Sequence, residues 1–393
     1  MGEWKEYKLG DIVSIASGFA YKGEHIGHGD KLLLGMGCVS FKEKFLISGA
    51  RPYCGDCAER YLVKSGDIVL ATRQQSDNLP ILGMPAIIPE ELKEKKLIVG
   101  ANLYRVTNNS DFDNKYIYWL LKTPAYVRHI ASCKTGTTVA MITKADIENF
   151  VFIAPDKLER QRILETISSL DDKIDLLHRE NAILEVMAET IFRQWFIEEA
   201  NGDDISLGEV VKTTSGGTPS RKKEEYYSNG NVKWVKSKEL HHSYILETEE
   251  KITEYAVINS SAKLLPVNSV LIAMYGATVG EYGILAEPMT CNQAICALIP
   301  NDNYPYTYLY LWAKYMQGEF INLACGAAQQ NISQELIKQQ YVSNDLKQIS
   351  DFHILVAPYM EKMKVNQEMI NTLNQMRDGL LPKLMNREIS IYG

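Results

Sequence analysis

Three segments in the second half of this 393-residue chain join glycine to short polar side chains. They are Ser215-Gly216-Gly217-Thr218-Pro219-Ser220-Arg221-Lys222, Tyr275-Gly276-Ala277-Thr278-Val279-Gly280 and Gly326-Ala327-Ala328-Gln329-Gln330-Asn331. Glycine lets backbone N–H groups approach a phosphate closely, Ser, Thr, Arg and Lys bind its oxygens, and Gln or Asn can pair with the edge of adenine through two hydrogen bonds. The first half carries its own versions: Gly18-Phe19-Ala20-Tyr21-Lys22, Thr72-Arg73-Gln74-Gln75 and Lys134-Thr135-Gly136-Thr137-Thr138. The candidate DNA-contacting residues are Tyr21, Lys22, Arg73, Gln74, Gln75, Lys134, Thr135, Thr137 and Thr138, with Thr218, Ser220, Arg221, Lys222, Lys236, Tyr275, Thr278, Gln329, Gln330 and Asn331. For any one of these residues, an ordinary surface loop is an equally open reading.

Other chemistry is harder to find. Cys54-Gly55-Asp56-Cys57 has ligand-like spacing, but the remaining cysteines and the histidines supply no matching cluster for zinc, so the alternatives are a loop with two thiols or a zinc or thiol site. Seven cysteines in a chain without a signal region read as reduced thiols. No Gly-x-x-x-x-Gly-Lys-Ser/Thr loop supports an ATP-driven motor, and no Gly-x-Gly-x-x-Gly follows a strand. Asn78-Leu79-Pro80-Ile81 is the nearest approach to an amino-methyltransferase tetrapeptide, and it lacks the second proline and the aromatic residue. Seven scattered histidines give no triad spacing and no metal pair. No catalytic, cofactor or metal residue is expected, so the chain reads as a reader without chemistry of its own.

The elements that must hold these loops occur twice. Residues 1 to 198 and 205 to 390 superpose at an offset between 189 and 202. Leu9-Gly10-Asp11-Ile12-Val13 matches Leu207-Gly208-Glu209-Val210-Val211, and Gly66-Asp67-Ile68-Val69-Leu70-Ala71 matches Asn268-Ser269-Val270-Leu271-Ile272-Ala273. Ala101-Asn102 pairs with Cys291-Asn292, and Tyr116-Ile117-Tyr118 with Tyr308-Leu309-Tyr310. A period near 190 residues means duplicated domains and excludes a solenoid. In each copy a turn enters a buried strand, at Lys64 to Ala71 and at Pro266 to Ala273, and aromatic-rich helices over Tyr116 to Leu121 and Tyr306 to Met316 pack on the sheet.

Each copy then continues into a long helix. Behind Pro155 the apolar series runs Ile163, Ile167, Leu170, Ile174, Leu177, Asn181, Leu184, Ala188, Ile191, Trp195. Adding 189 gives Phe352, Val356, Tyr359, Met363, Asn366, Ile370, Leu373, Arg377, Leu380, Leu384. Alternating spacings of four and three over several heptads predict a coiled-coil seam. Connectivity makes the pair antiparallel, and about 40 residues at roughly 1.5 Å each give a rod of order 60 Å. Pro358 predicts a kink or a helix start in the second series. Candidate seam or partner-facing residues are Ile174, Leu184, Ile191, Trp195, Phe196, Met363, Leu373, Leu380 and Leu384.

The fold class is therefore α+β. Two globular mixed α/β domains in pseudo-twofold repeat (1–155 and 201–345) are separated by two long antiparallel helices (156–200 and 346–393). With 46% hydrophobic residues the chain can build real cores. It has no run of 18 apolar residues and no signal region, so a cytoplasmic location is expected. Net charge is −7 overall, divided as +2, −5, −5 and +1 over the four segments in order. None is as basic as an autonomous DNA binder, so a partner is expected to supply positive surface.

The chain resembles the specificity subunit of Type I restriction-modification enzymes over its whole length. The likeness rests on Ile191-Phe192-Arg193-Gln194-Trp195-Phe196 and on Arg377-Asp378-Gly379-Leu380-Leu381-Pro382-Lys383-Leu384-Met385. It also rests on Gly216-Gly217-Thr218-Pro219-Ser220, Trp234-Val235, Gly276-Ala277-Thr278-Val279-Gly280, Asn292-Gln293 and Gly326 to Ser333. The resemblance implies two target-recognition domains, each reading half of a bipartite, asymmetric DNA sequence, and helices that dock methyltransferase subunits, two of them expected. Motor/nuclease (restriction) subunits would join the complex, and S-adenosylmethionine, ATP and Mg would sit on those partners. A recognition subunit of a methyltransferase-only or bifunctional nuclease–methyltransferase system is the alternative. The first domain departs from the family pattern at the Gly-Thr-Pro-Ser loop, where it has Gly18-Phe19-Ala20-Tyr21-Lys22.

Overall fold

The computed structural model describes residues 4–41, 43–74, 81–136, 139–199, 203–325 and 331–389. By internal packing the chain divides into two units, Met1–Asp172 with Leu373–Gly393, and Lys173–Thr372. Each long helix contributes residues to both.

The first unit is organised by Ile68–Ala71, an uninterrupted Ile-Val-Leu-Ala run buried on both faces, as a central strand must be. Around it the sheet runs in the order Val13–Ser17, Leu103–Asn108, Ile68–Ala71, Pro85–Ile87. The second unit repeats that order with Lys212–Ser215, Ile295–Ile299, Val270–Ala273 and Tyr282–Leu285, and adds Tyr244–Ile245 at the edge. Register repeats too: Leu103 faces Ala71 and Val106 faces Ile68, as Ile295 faces Ala273 and Leu298 faces Val270. Each unit also has a second sheet containing one parallel pair, Leu34 beside Val99 in the first and Val235 beside Cys291 in the second.

The hydrogen bonds of these parallel pairs correct one part of the sequence alignment. Gly100 N donates to Leu34 O, and Asn292 N donates to Val235 O, so Val99-Gly100 is the counterpart of Cys291-Asn292. Ala101-Asn102 lies two residues further on. Similar residue types misled the comparison where the backbone pattern does not.

Aromatic helices close the cores as expected. Tyr116, Tyr118 and Trp119 in Asn114–Leu120 are buried, as are Tyr308, Tyr310 and Trp312 in Tyr306–Cys325. Burial of each such side chain is worth on the order of 1.5–3 kcal/mol. The first unit breaks this layer into two helices because Pro124 opens a new one, Pro124–Cys133, capped by the Thr123 hydroxyl accepting from Tyr126 N. The second unit has no proline there and runs one helix of 20 residues.

The long helices span Lys157–Arg193 and Leu346–Met385. In the first unit Ile163 and Ile167, near the start of one, share a core with Leu381, Leu384 and Met385 at the end of the other. In the second unit Ala188 and Phe192 share a core with Ile349, Phe352, Val356 and Met360. The pairing is antiparallel within each unit. All twenty seam positions are buried or half-buried. Pro358 neither starts nor ends a helix: Leu346–Met385 is continuous through it, beginning twelve residues earlier. The seam packing on both sides of Pro358 outweighs the one backbone donor it removes.

Candidate nucleic-acid interface

The duplicated sheet brings the polar loops together at one edge, and it does so twice. In the second unit the chain leaves Lys212–Ser215 and turns at Gly216, whose N–H donates to Ile295 O, while Gly217 N donates to Cys291 O. A Cβ on Gly216 would lie 2.2 Å from Cys291 O, so only glycine permits this approach. That close passage places Thr218 against Gln293, with the Thr218 hydroxyl donating to the Gln293 amide oxygen. The next loop joins because Met274 N donates to Ala294 O. Tyr275 in turn forms a bridge with Asn331.

The first unit is built by the same bonds. Gly18 N donates to Leu103 O and Phe19 N to Val99 O, and a Cβ on Gly18 would lie 2.1 Å from Gly100 O. Thr72 donates from both its N–H and its hydroxyl to Asn102 O. Arg73–Gln74 pairs with Ala140–Met141, where the second unit has the Tyr275 to Asn331 bridge. Arg73 and Tyr275 therefore occupy equivalent positions, and both are exposed.

The sequence-predicted residues fall into several groups. Lys22, Arg73, Lys134, Thr135, Thr218, Ser220, Arg221, Lys222 and Tyr275 are exposed, and Tyr21, Lys236, Thr278 and Asn331 are half-buried. The Thr135 hydroxyl donates to Met141 O and the Thr278 hydroxyl to Tyr275 O, so both shape their loops. Gln74 differs from the expectation: it is buried, and its side-chain oxygen accepts from Leu82 N. Gln75, Thr137, Thr138, Gln329 and Gln330 lie outside the described residues.

Arg221 and Lys236 are not presented as open cations. Arg221 sits 2.6 Å from the Glu250 carboxylate, and Lys236 pairs with Glu250 and, at 3.6 Å, with Glu249. Lys238 lies 2.6 Å from Glu249. The Arg221 guanidinium also lies over Tyr227 and Trp234, 4.4 and 5.3 Å from their ring centres, while the Trp234 indole N–H donates to Gly217 O. The hydrogen bond from Arg221, followed by Lys236, holds the Glu250 carboxyl well below the usual range, at about 2, against partial desolvation. Sequence reasoning missed Glu249 and Glu250 because their partners are 11 or more residues away. The acidic run Glu247 to Glu250, facing a basic loop across a short sheet, was the available signal.

The helix residues also resolve. Phe196 packs against Tyr308 and Phe352, with ring centres 4.9 and 5.2 Å apart, and Trp195 and Ile191 border the same core. Leu380 and Leu384 do the same in the first unit. Ile174 and Met363 are buried, and Leu184 and Leu373 half-buried. Asn366 donates to Asn181 Oδ1 at 2.8 Å and to Glu180 at 2.9 Å, and Asn181 donates to Met363 O, so the seam asparagines pair with each other. Among the described residues no helix is long and apolar enough to cross a membrane.

Two copies of one fold, each gathering glycine-gated polar loops at the same sheet edge and each tied to an antiparallel helix pair, define a duplicated recognition protein. The chain belongs to the family of the Type I restriction modification DNA specificity domain, which it matches over residues 1–186 and again over 201–344. It is 25% identical to the Type I restriction enzyme HindI specificity subunit of Haemophilus influenzae across 99% of this chain and all of that one. It is also 25% identical to the MjaIX specificity subunit of Methanocaldococcus jannaschii over 73% of each chain. The crystal structure of a Type I restriction-modification S subunit from M. genitalium shares the fold, with a TM-score of 0.59 at 16% identity, covering 98% of this chain and 96% of the other. DNA sequence specificity is the role of this family.

Proposed function

We propose that the two domains read separate, different halves of one bipartite DNA site, with the helices setting the gap between them and docking methyltransferase subunits. The observation that carries this reading is the equivalence of the two edges in backbone and their inequality in side chains: Arg73 stands where the other copy has Tyr275, and Met141 where it has Asn331. One scaffold with two sets of contact groups suits an asymmetric target, since base edges are distinguished by donor and acceptor pattern. Methyl transfer and ATP-driven cleavage would belong to partner subunits carrying S-adenosylmethionine, ATP and Mg, and this chain would act without catalysis. Docking is supported by apolar residues left outward on the second unit's helices, where Ile183 is 61% exposed, Val186 60% and Ile354 70%.

The test uses the assembled methyltransferase and the pattern of methylated sites on genomic DNA. Arg73→Ala is expected to relax recognition at one half-site and Tyr275→Ala at the other. Loss at both halves from either change would overturn the division of labour. For docking, Ile183→Asp with Val186→Asp is expected to lower methyltransferase binding by at least about tenfold, as loss of an apolar contact patch should; unchanged complex formation would refute it.

A further inference from the structure

The first unit carries a group of side chains that is not among the candidate DNA-contacting residues. Strand Ile26–Leu34 pairs with Ala50–Tyr53, but the register breaks between Ile26 and Lys31, and the intervening residues bulge out. That bulge contains His28 between Gly27 and Gly29, both in the left-handed region at φ +100° and +111°. A Cβ on Gly29 would lie 2.5 Å from Tyr53 O and 2.8 Å from Cys54 Cα, so glycine presses the bulge onto the segment that follows the partner strand. Cys54 N donates to His25 O, which fixes the other side.

The result is a thiol between two imidazoles. Cys54 Sγ is 3.2 Å from His28 Nε2 and 3.6 Å from His25 Nδ1. In a tetrahedral zinc site, bonds of about 2.3 Å to sulfur and about 2.0–2.1 Å to nitrogen put these two ligand atoms roughly 3.5 Å apart. Cys57 follows at ligand spacing, and Lys31 anchors the loop between the two cysteines, donating to Gly55 O at 3.0 Å. The linear pattern is His25-x-x-His28 and then Cys54-x-x-Cys57, a two-plus-two set of soft and borderline donors. The pairs join only through the bulged hairpin, so sequence order alone concealed them.

We propose that His25, His28, Cys54 and Cys57 bind one zinc ion that pins the tip of this hairpin. Among the described residues no three His, Cys, Asp or Glu side chains are already closed around a common centre. Binding therefore turns an exposed imidazole and the Cys57 thiol inward about a sulfur already in contact with both histidines. It requires deprotonated thiols and unprotonated facing nitrogens, so it releases protons and weakens as pH falls. Strand Ile26–Leu34 continues to Leu34, beside Gly100 and the Gly18 turn, so pinning its tip would steady the first unit's reading edge.

The full-length chain, expressed with added zinc and purified under reducing conditions, is expected to retain about one equivalent of zinc by elemental analysis. Cobalt(II) should produce thiolate charge-transfer and tetrahedral ligand-field bands. Cys54→Ser and His28→Ala should each weaken zinc binding by at least about tenfold in a chelator competition, whereas Cys325→Ser, at an exposed thiol elsewhere, should not. A Cys57→Ser variant with equal weakening assigns that residue the fourth position; no weakening removes it from the site. Wild-type protein that retains no zinc, or binds it no better than the Cys54→Ser, His28→Ala double variant, overturns the proposal. A cobalt spectrum without thiolate bands overturns it as well, and it does so even if the variants fold poorly.

Discussion

The two units share a backbone and differ in how they manage charge. At the second unit's edge, Arg221, Lys236 and Lys238 are tied to Glu249 and Glu250. At the first unit's edge Arg73, at the position of Tyr275, has no carboxylate within ion-pair range among the described residues, and Lys22, in the counterpart of the Arg221 loop, lies 3.9 Å from the exposed Glu24. Along the seam the contrast runs the other way. The first unit buries an ion pair, Arg377 Nη1 to Asp171 Oδ1 at 3.0 Å with Lys44 on the same carboxylate, where the second pairs the buried amide of Asn366 with the half-buried Asn181. The polar seam positions are not equivalent in the two copies: at the 189-residue offset Arg377 stands where the first helix has Ala188, Asp171 where the second has Met360, and Asn366 where the first has Leu177. A buried charge is the more demanding solution, since losing one member strands the other.

That difference sets the largest expected effect. Arg377→Ala removes one of the two ion-pair partners that Asp171, whose side chain is 6% exposed, has among the described residues and should destabilise the first unit by about 3–5 kcal/mol. Asn366→Ala in the second unit removes one neutral hydrogen bond, to Asn181, and one to Glu180, and should destabilise by about 1–3 kcal/mol. Urea denaturation, with amide exchange to locate the loss, measures both. Equal losses would show that the charged and neutral seams are interchangeable.

Next come the glycine gates. Gly18→Ala and Gly216→Ala each drive a methyl group into backbone oxygens 2.1 to 2.3 Å away, and the gates must open by shifting strands. A penalty of about 1–3 kcal/mol is expected from such overpacking, with loss of binding confined to the half-site read by the altered unit. Thermal melts and binding to half-site-mutated duplexes check the two parts. A Gly216→Ala protein that recognises both halves normally would break the assignment of that edge to DNA.

Smaller still is the effect of releasing the second unit's cations. Glu250→Gln leaves Arg221 and Lys236 available for phosphate, so the salt dependence of DNA binding by the assembled complex should steepen by about 1–2 in log–log slope. The same change has an acid signature. Glu250 is held to about 2 in the folded protein, so its contribution to stability is complete above the ordinary carboxylate range and is lost as pH falls through about 2. Wild type should lose stability between pH 4.5 and about 2 more steeply than Glu250→Gln. Parallel acid titrations would mean that the ion pairs are too well solvated to matter.

How much of this could be read in advance depended on the range of the interactions. The buried strands Ile68–Ala71 and Val270–Ala273, the aromatic helices and the helix seam announce themselves by local periodicity, so they were legible. The polar loops were legible as glycine-rich segments, and their convergence was not, since it rests on bonds such as Met274 N to Ala294 O across the sheet. Gln74 was misread because a glutamine beside an arginine looks the same in sequence whether it faces solvent or braces Leu82 N from within. Glu250 and the His28 to Cys54 contact were invisible for one reason: each joins segments brought together only by strand pairing.

The smallest expected effect tests whether the units are equivalent where their sequences differ. Gly66 and Asn268 occupy one turn, at φ +81° and +65°, with N–H groups donating to Ile88 O and Leu285 O. Both residue types enter the left-handed region with little strain, glycine freely and asparagine by virtue of its short polar side chain. Gly66→Asn should therefore be nearly neutral or stabilise slightly, by a few tenths of a kcal/mol, because asparagine has less unfolded-state freedom to lose. Asn268→Gly should destabilise by a similar amount. Alanine at either position should cost about 1 kcal/mol, the penalty of a side chain without that local compensation. If Gly66→Asn instead destabilises as much as Gly66→Ala, the turn in the first unit depends on glycine for space and not for torsion. The open surroundings of Gly66, with nothing within 4 Å of a Cβ placed there, argue against that.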